Sequence, residues 1–265
     1  MGKNPVGLSA LYVLCDRAPV ASCIESPHGE VRFQAALRWL TEQERNRPLL
    51  LVAHSLDAAR ELMRAATLAQ RSTFGWALES LNSLAMKLSA VPLARSGVTP
   101  ATPLALEAVC VRVVSELSAQ GQLGRFEHVA DRPGLPRALL RTFTELALAD
   151  VGPERLRAAC PELGTAFARY RSTLAELGIA DRATTLRAAI AAVPDKAAAG
   201  ELQAVCLYDL SPQSRLEREL VAALAAAAGR ALITRALGDG AASTVAEPRP
   251  LGSALERLQA QLFSP

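Results

Sequence analysis

The stretch "PLLLVAH" (residues 48–54) limits the possible folds more than any other part of the chain. A strand with one wet face alternates apolar and polar residues. An unbroken apolar run bounded by a proline and a polar turn is the pattern of a strand covered on both faces, as in a parallel sheet. Parallel neighbours cannot be joined by a tight turn and need a crossover, usually a helix. "SLDAARELMRAATLAQR" follows at once with helical spacing; Ser55 is placed to cap it and Asp57 falls in its first turn.

The same rhythm recurs on either side. "LYVLC" (11–15) and "ASCIES" (21–26) read as short strands, and "GEVRFQAALRWLTEQ" as a helix with Val31, Phe33, Ala36, Leu37 and Leu40 mostly on one side. A short strand is expected around Trp76–Leu78, with a helix after it. Residues 1–90 therefore read as the first part of an α/β domain. The proline-rich stretch 91–103 reads as a linker, and 104–200 as a helical subdomain punctuated by Pro and Gly, with no convincing strand. Strand patterns return in 201–265, at "LQAVCLYDL" (202–210) and "RALIT" (230–234), with a helix between them and a last helix at "LGSALERLQAQLF". Pro212 near the start of the intervening helix and Gly229 at its end suit the usual helix punctuation. The expected fold class is thus α/β: a RecA-like, P-loop-NTPase-type parallel sheet interrupted by an inserted all-helical subdomain.

In that layout the loop after the strand at 21–26 stands where a phosphate loop would. Its residues are wrong for the chemistry. A working loop, G-x-x-x-x-G-K-[ST], uses glycines for close backbone approach, Lys for the outer phosphates and Ser/Thr for magnesium. "ESPHGEVRF" has one glycine, Gly29, followed by Glu30 and Val31, and a carboxylate there repels a triphosphate. Ser26, Gly29 and Glu30 are read instead as a degenerate loop, with Ser26 as a helix cap in an imperfect capping box. No cofactor is expected. Asp209, after the strand at 202–210, stands where a metal-binding acid would, but "LSPQS" behind it supplies no second carboxylate; a turn or cap role is expected. Glu25 is the only other acid to which an unrecognised active site could be pinned.

Other chemistries find little support. GxGxxG and GxSxG are absent, and His28, His54 and His128 are isolated. The five cysteines, Cys15, Cys23, Cys110, Cys160 and Cys206, form no CxxC or Cys/His cluster; they read as small buried hydrophobes, with no metal site. The N-terminus is poor as a signal peptide, and no uncharged stretch reaches spanning length, so a cytoplasmic protein without membrane partners is expected.

The basic residues leave two readings open. Net charge is only +3, and all but Lys3, Lys87 and Lys196 of the 29 basic residues are arginine. Arginine forks onto phosphate well, but a GC-rich genome gives the same bias. Arg137 and Arg141 are four apart and share a helix face in the 104–200 block; Arg169 shares one with Thr165 and not with Arg171. Such a face can contact DNA phosphates in a salt-sensitive way, or be a solvated face paired with the interspersed acids.

Several stretches, in order, resemble the N-terminal region of AddB-type proteins: "RPLLLVAHSLDAARELMRAA", "FGWALESLNSLAMKLSA", "LGRFEHVADRPGLPRALLRTFTELALADVGPERLRAA" and "ARYRSTLAELGIADRATTLRAAI". These are bacterial relatives of UvrD-like superfamily-one helicases that carry a C-terminal PD-(D/E)XK nuclease and act in double-strand-break end resection. The resemblance implies a RecA-like first domain with a helical insertion. It places Ser55 in the strand-to-helix loop that touches single-stranded DNA, with Arg60 nearby, and Ser80 at the next DNA-facing segment. Leu56 departs from the basic residue often found beside the first hydroxyl. No second RecA-like domain or nuclease falls within the 265 residues. The resemblance thus implies a catalytically inactive helicase-like module, an N-terminal part or a shortened relative, for which DNA ends or a partner helicase subunit are the expected partners. A free-standing interaction protein with the same fold is the alternative.

Overall fold

The computed structural model describes residues 21–44, 47–70 and 74–236. The expected strand at 11–15 and the last helix at 251–263 lie outside them. The described chain divides into two compact units.

The first unit, residues 21–81, 197–211 and 224–236 of those described, is built on a five-stranded parallel sheet. Its strands are β1 (Ala21–Glu25), β2 (Leu49–Ala53), β3 (Trp76–Ser80), β6 (Ala204–Tyr208) and β7 (Arg230–Arg235), in the order β1-β7-β6-β2-β3. Helices α1 (Gly29–Thr41) and α2 (Leu56–Gln70) make the first two crossovers. Every residue of β2 and of β6 is buried, which is what the unbroken apolar runs required. On one face Leu49, Leu51, Ala53, Ala204, Cys206, Tyr208 and Leu232 pack with Ala36 and Leu40 of α1 and Ala59, Leu62 and Ala66 of α2. At the far end of these helices the Gln70 amide donates to the Leu40 carbonyl at 3.2 Å and to that of Thr41, tying two C-termini together. The α/β, RecA-like fold with a helical insertion is therefore present, and the chain leaves the sheet after β3 and returns to it at β6.

The second unit, residues 82–196 and 212–223, is mainly helical. It holds most of α3 (Leu81–Arg95), then α4 (Pro103–Ala119), α5 (Gly134–Leu148), α6 (Pro153–Ala159), α7 (Pro161–Glu176), most of α8 (Arg182–Ala198) and the first turns of α9 (Arg215–Ala227). Phe143 of α5 stacks 5.3 Å from Phe167 and 5.1 Å from Tyr170 of α7, all fully buried. Helices α6 and α7 nearly touch at Gly164, where an added Cβ would lie 2.4 Å from the Arg157 Cα.

Three local expectations are corrected. The insertion is not purely helical: Thr99–Pro100 (β4) pairs in parallel with Ile179–Ala180 (β5). Part of the 91–103 segment is helix, because α3 continues through Pro92 to Arg95, held by buried Leu88 and Leu93. Helix α9 starts at Arg215 rather than near Pro212, and its start is a capping box. Ser214 Oγ accepts from the Glu217 amide at 3.2 Å, while the Glu217 carboxylate accepts from the Ser214 and Gln213 amides.

Candidate functional site at the strand ends

The C-terminal ends of a parallel sheet are where backbone groups run out of ladder partners and ligands usually bind. Here the ends of β1, β6 and β7 meet in one closed polar cluster. After β1 the chain turns through Ser26, whose hydroxyl accepts from the His28 amide at 3.2 Å. Ser26 therefore closes a short turn and is not the cap of α1. His28 holds the cap position without a side-chain capping bond, and α1 starts at Gly29. The exposed Glu30 carboxylate accepts from Gln34 on the outer face.

The centre of the cluster is Arg32, which the sequence reading did not single out. From the first turn of α1 its Nε donates to Asp209 Oδ1 at 2.8 Å, and its Nη1 donates to the Ser26 carbonyl. Both partners are well covered, the Arg32 side chain 12% and that of Asp209 18% exposed. The guanidinium lies back against the loop: a Cβ at Gly29 would be in ordinary van der Waals contact with Arg32 Nη2, at 3.7 Å.

Asp209 is held from the other side too. Thr234 of β7, fully buried, donates its hydroxyl to Asp209 Oδ1 at 2.9 Å and accepts from the Asp209 amide at 3.0 Å. Asp209 itself has φ +47, a left-handed conformation that short polar side chains tolerate better than bulky ones. Next to it the Tyr208 phenol is pushed up to about 12, chiefly by burial and then by the Asp209 charge. Phe33 meets Tyr208 edge-on at 6.5 Å. Arg235 and Glu25 form a further ion pair at the ends of β7 and β1. The role foreseen for Asp209, a turn position, agrees with its backbone; the arginine that neutralises it does not follow from the local sequence.

A magnesium–nucleotide does not fit these residues. Glu30 and Val31 stand where Lys and Ser/Thr are needed, and the acid that would face the metal already carries a guanidinium. Among the described residues no group of three or more His, Cys, Asp or Glu could hold a metal.

The residues expected at DNA are divided between the two units. Ser55 and Ser80 lie at the same, C-terminal end of the adjacent strands β2 and β3, since Ala53 pairs with Ser80 and Ser55 follows two residues later. Ser55 caps α2, its hydroxyl accepting from the Ala58 amide at 3.2 Å. Arg60 is exposed and bonds Asp57 at 3.0 Å. Arg137 and Arg141 are on α5 in the other unit, where Arg137 donates to Glu107 at 2.6 Å and Arg141 to Glu145 at 3.3 Å. Exposed pairs of this kind are weak, so a phosphate can displace them at small cost.

Arg169 and Thr165 share a face, as expected, and line a shallow groove of about 560 Å³ with Glu116, Gln120 and Gln122. Arg112 and then Arg169 hold the Glu116 carboxyl below the usual range. Of the cysteines, Cys110 and Cys206 are buried; Cys23 and Cys160 are only half-buried, and Cys15 is outside the described residues. His28, His54 and His128 are exposed. Among the described residues no helix is long and apolar enough to cross a membrane. No protein-family model and no curated protein matches the sequence.

Proposed function

We propose that the chain is a catalytically silent helicase-like module of an AddB-type helicase–nuclease, acting in bacterial DNA double-strand-break repair in the cytoplasm. Its work is structural: it supports the complex, docks a partner helicase subunit, or contacts DNA ends. The observation that carries this reading is Arg32 lying on Asp209 in a RecA-like sheet whose loop has lost its Lys and Ser/Thr. A loop position filled by the chain's own side chain supports a structural role over nucleotide hydrolysis.

Two measurements test it. Thermal melting with and without Mg-ATP should be unchanged, because a ligand that binds only the native state raises its melting temperature. A clear upward shift means the loop is a working one. Gel-shift titration with single-stranded and forked DNA at two salt concentrations should give binding that weakens as salt rises. Binding that ignores salt rules out phosphate contact by Ser55, Arg60, Ser80, Arg137 and Arg141. The carboxylate partners of Arg60, Arg137 and Arg141 favour a second reading, an interaction module with no DNA contact, and absence of any shift selects it.

A further inference from the structure

We propose that the exposed side of α4 pairs with the same side of a second copy of this chain, the two helices running parallel about a two-fold axis. The inference rests on α4 alone and is independent of the functional reading above.

Helix α4 lies against α5 and α7 and buries Val109, Cys110, Val113, Val114 and Leu117. On the opposite side Leu104, Ala108, Val111 and Ser115 are all exposed, Leu104 at 77% and Val111 at 51%. Their spacing of four, three and four residues is the repeat of about 3.5 that keeps side chains on one straight seam. No charged residue falls within it. On the neighbouring α5 the water-facing side carries Arg137, Arg141 and Glu145 instead. An apolar seam turned away from the core of its own unit is the mark of a helix with a second partner.

The flanks of the seam indicate what that partner is. Glu107 borders it on one side and Arg112 on the other. In a parallel helix pair, flanking positions five residues apart face each other across the seam, so Glu107 of one copy meets Arg112 of the other. The two-fold axis makes this contact twice. An antiparallel pair would set like flanks together and lose both contacts. Glu107 already accepts from Arg137 at 2.6 Å, and Arg112 donates to Glu116 at 2.6 Å. Each of these bonds takes one acceptor or one donor, and a carboxylate and a guanidinium have others to offer. Between the Leu104 and Val111 layers, Ala108 is small enough to let the two backbones approach. A seam this short buries far less than the roughly 800 Å² per partner of a standard interface, so the dimer is a weak one.

The test is sedimentation velocity of the full chain from micromolar to near-millimolar concentration, with melting curves to check that each variant is folded. The native chain should pass from monomer to dimer across that range, and L104E/V111E should stay monomeric. E107R and R112E alone should each dimerise at least about tenfold more weakly, because like charges then face each other. Mixing E107R with R112E should restore dimerisation, since each variant supplies the charge the other lacks while the intrachain pairs remain as broken as before. Oxidised A108C should join position 108 of one copy to position 108 of the other, which peptide mapping by mass spectrometry identifies. A native chain that stays monomeric at the highest concentration overturns the proposal. So does a dimer that L104E/V111E leaves intact, or a mixture no tighter than its separate variants.

Discussion

Replacing Arg32 by methionine keeps most of the aliphatic stem and removes the guanidinium, which leaves Asp209 and the Ser26 carbonyl without their shared donor. Breaking a fully buried pair by deleting one partner costs about 3–5 kcal/mol. The Arg32 and Asp209 side chains are 12% and 18% exposed, so some water reaches the orphaned carboxylate. Thr234 continues to hydrogen-bond it. A discounted figure of about 2–3 kcal/mol follows, including about 1 kcal/mol for the hydrogen bond to Ser26. The chain has two tryptophans, Trp39 and Trp76, and both fall in the unit that holds the pair. Urea unfolding followed by tryptophan fluorescence therefore reports on the right part of the molecule. D209N should be destabilising as well, and R32M/D209N should cost less than the sum of the two single changes by about 1 kcal/mol or more. An R32M chain within about 0.5 kcal/mol of the native one, the range of ordinary surface substitutions, would refute the reasoning, as would strict additivity in the double variant.

Three further outcomes are expected. G164A should lower stability by about 1–3 kcal/mol, because its Cβ meets Arg157 backbone rather than a movable side chain; thermal melting decides, and a stabilised variant would mean that α6 and α7 part freely. The Asp150 carboxyl is held below its usual range first by its hydrogen bonds to Arg187, so the unfolded chain takes up that proton more readily than the folded one. The pair's contribution is complete above the ordinary aspartate value of about 4 and fades as pH falls through the lower folded value. The stability gap between the native chain and D150N should therefore be widest near pH 6 and close toward pH 3 in urea titrations; a constant gap contradicts this. Asparagine suits the left-handed backbone at that position, so the change isolates the charge. Finally, burial pushes the Cys110 thiol up to about 12 and that of Cys206 higher still. Both should resist alkylation at pH 8 until the chain unfolds, while Cys160 and Cys23 react first; peptide mapping by mass spectrometry reads the order.

The parts of the fold that could be read from sequence are those whose information is local. The run at Leu49–Ala53 announced a doubly covered strand, and Ser55 announced a helix start. The pair that defines the site could not be read this way, since Arg32 and Asp209 are 177 positions apart and meet only because β7 and β6 bring two strand ends beside α1. The position of Arg32, one turn into the helix after the glycine, was the available signal. Strands β4 and β5 are two residues each and too short to show any period. Pro92 misled because a proline inside a helix is usually a stop, and only tertiary burial of Leu88 and Leu93 reveals that α3 runs past it. The capping box at Ser214 was legible as S-x-x-E, yet Pro212 drew the predicted helix start forward.

The strand order has a consequence for how this chain acquires its structure. Among the described residues strand β1 has one neighbour, β7, and Ala21 pairs with Ala231 at the opposite end of the described chain. Strands β2 and β3 pair with each other early, but β2 meets β6 only after the whole helical insertion has been made. During synthesis, then, the emerging chain carries a lone edge strand and an incomplete pair while α3 to α8 leave the ribosome. Contacts this distant in sequence carry a large closure entropy and form late. The helical unit, whose contacts are mostly within 82–196, has time to fold first and to shorten the effective distance between β3 and β6. A chain released before β6 and β7 holds apolar strands with no partners, the state most open to aggregation or to capture by a chaperone.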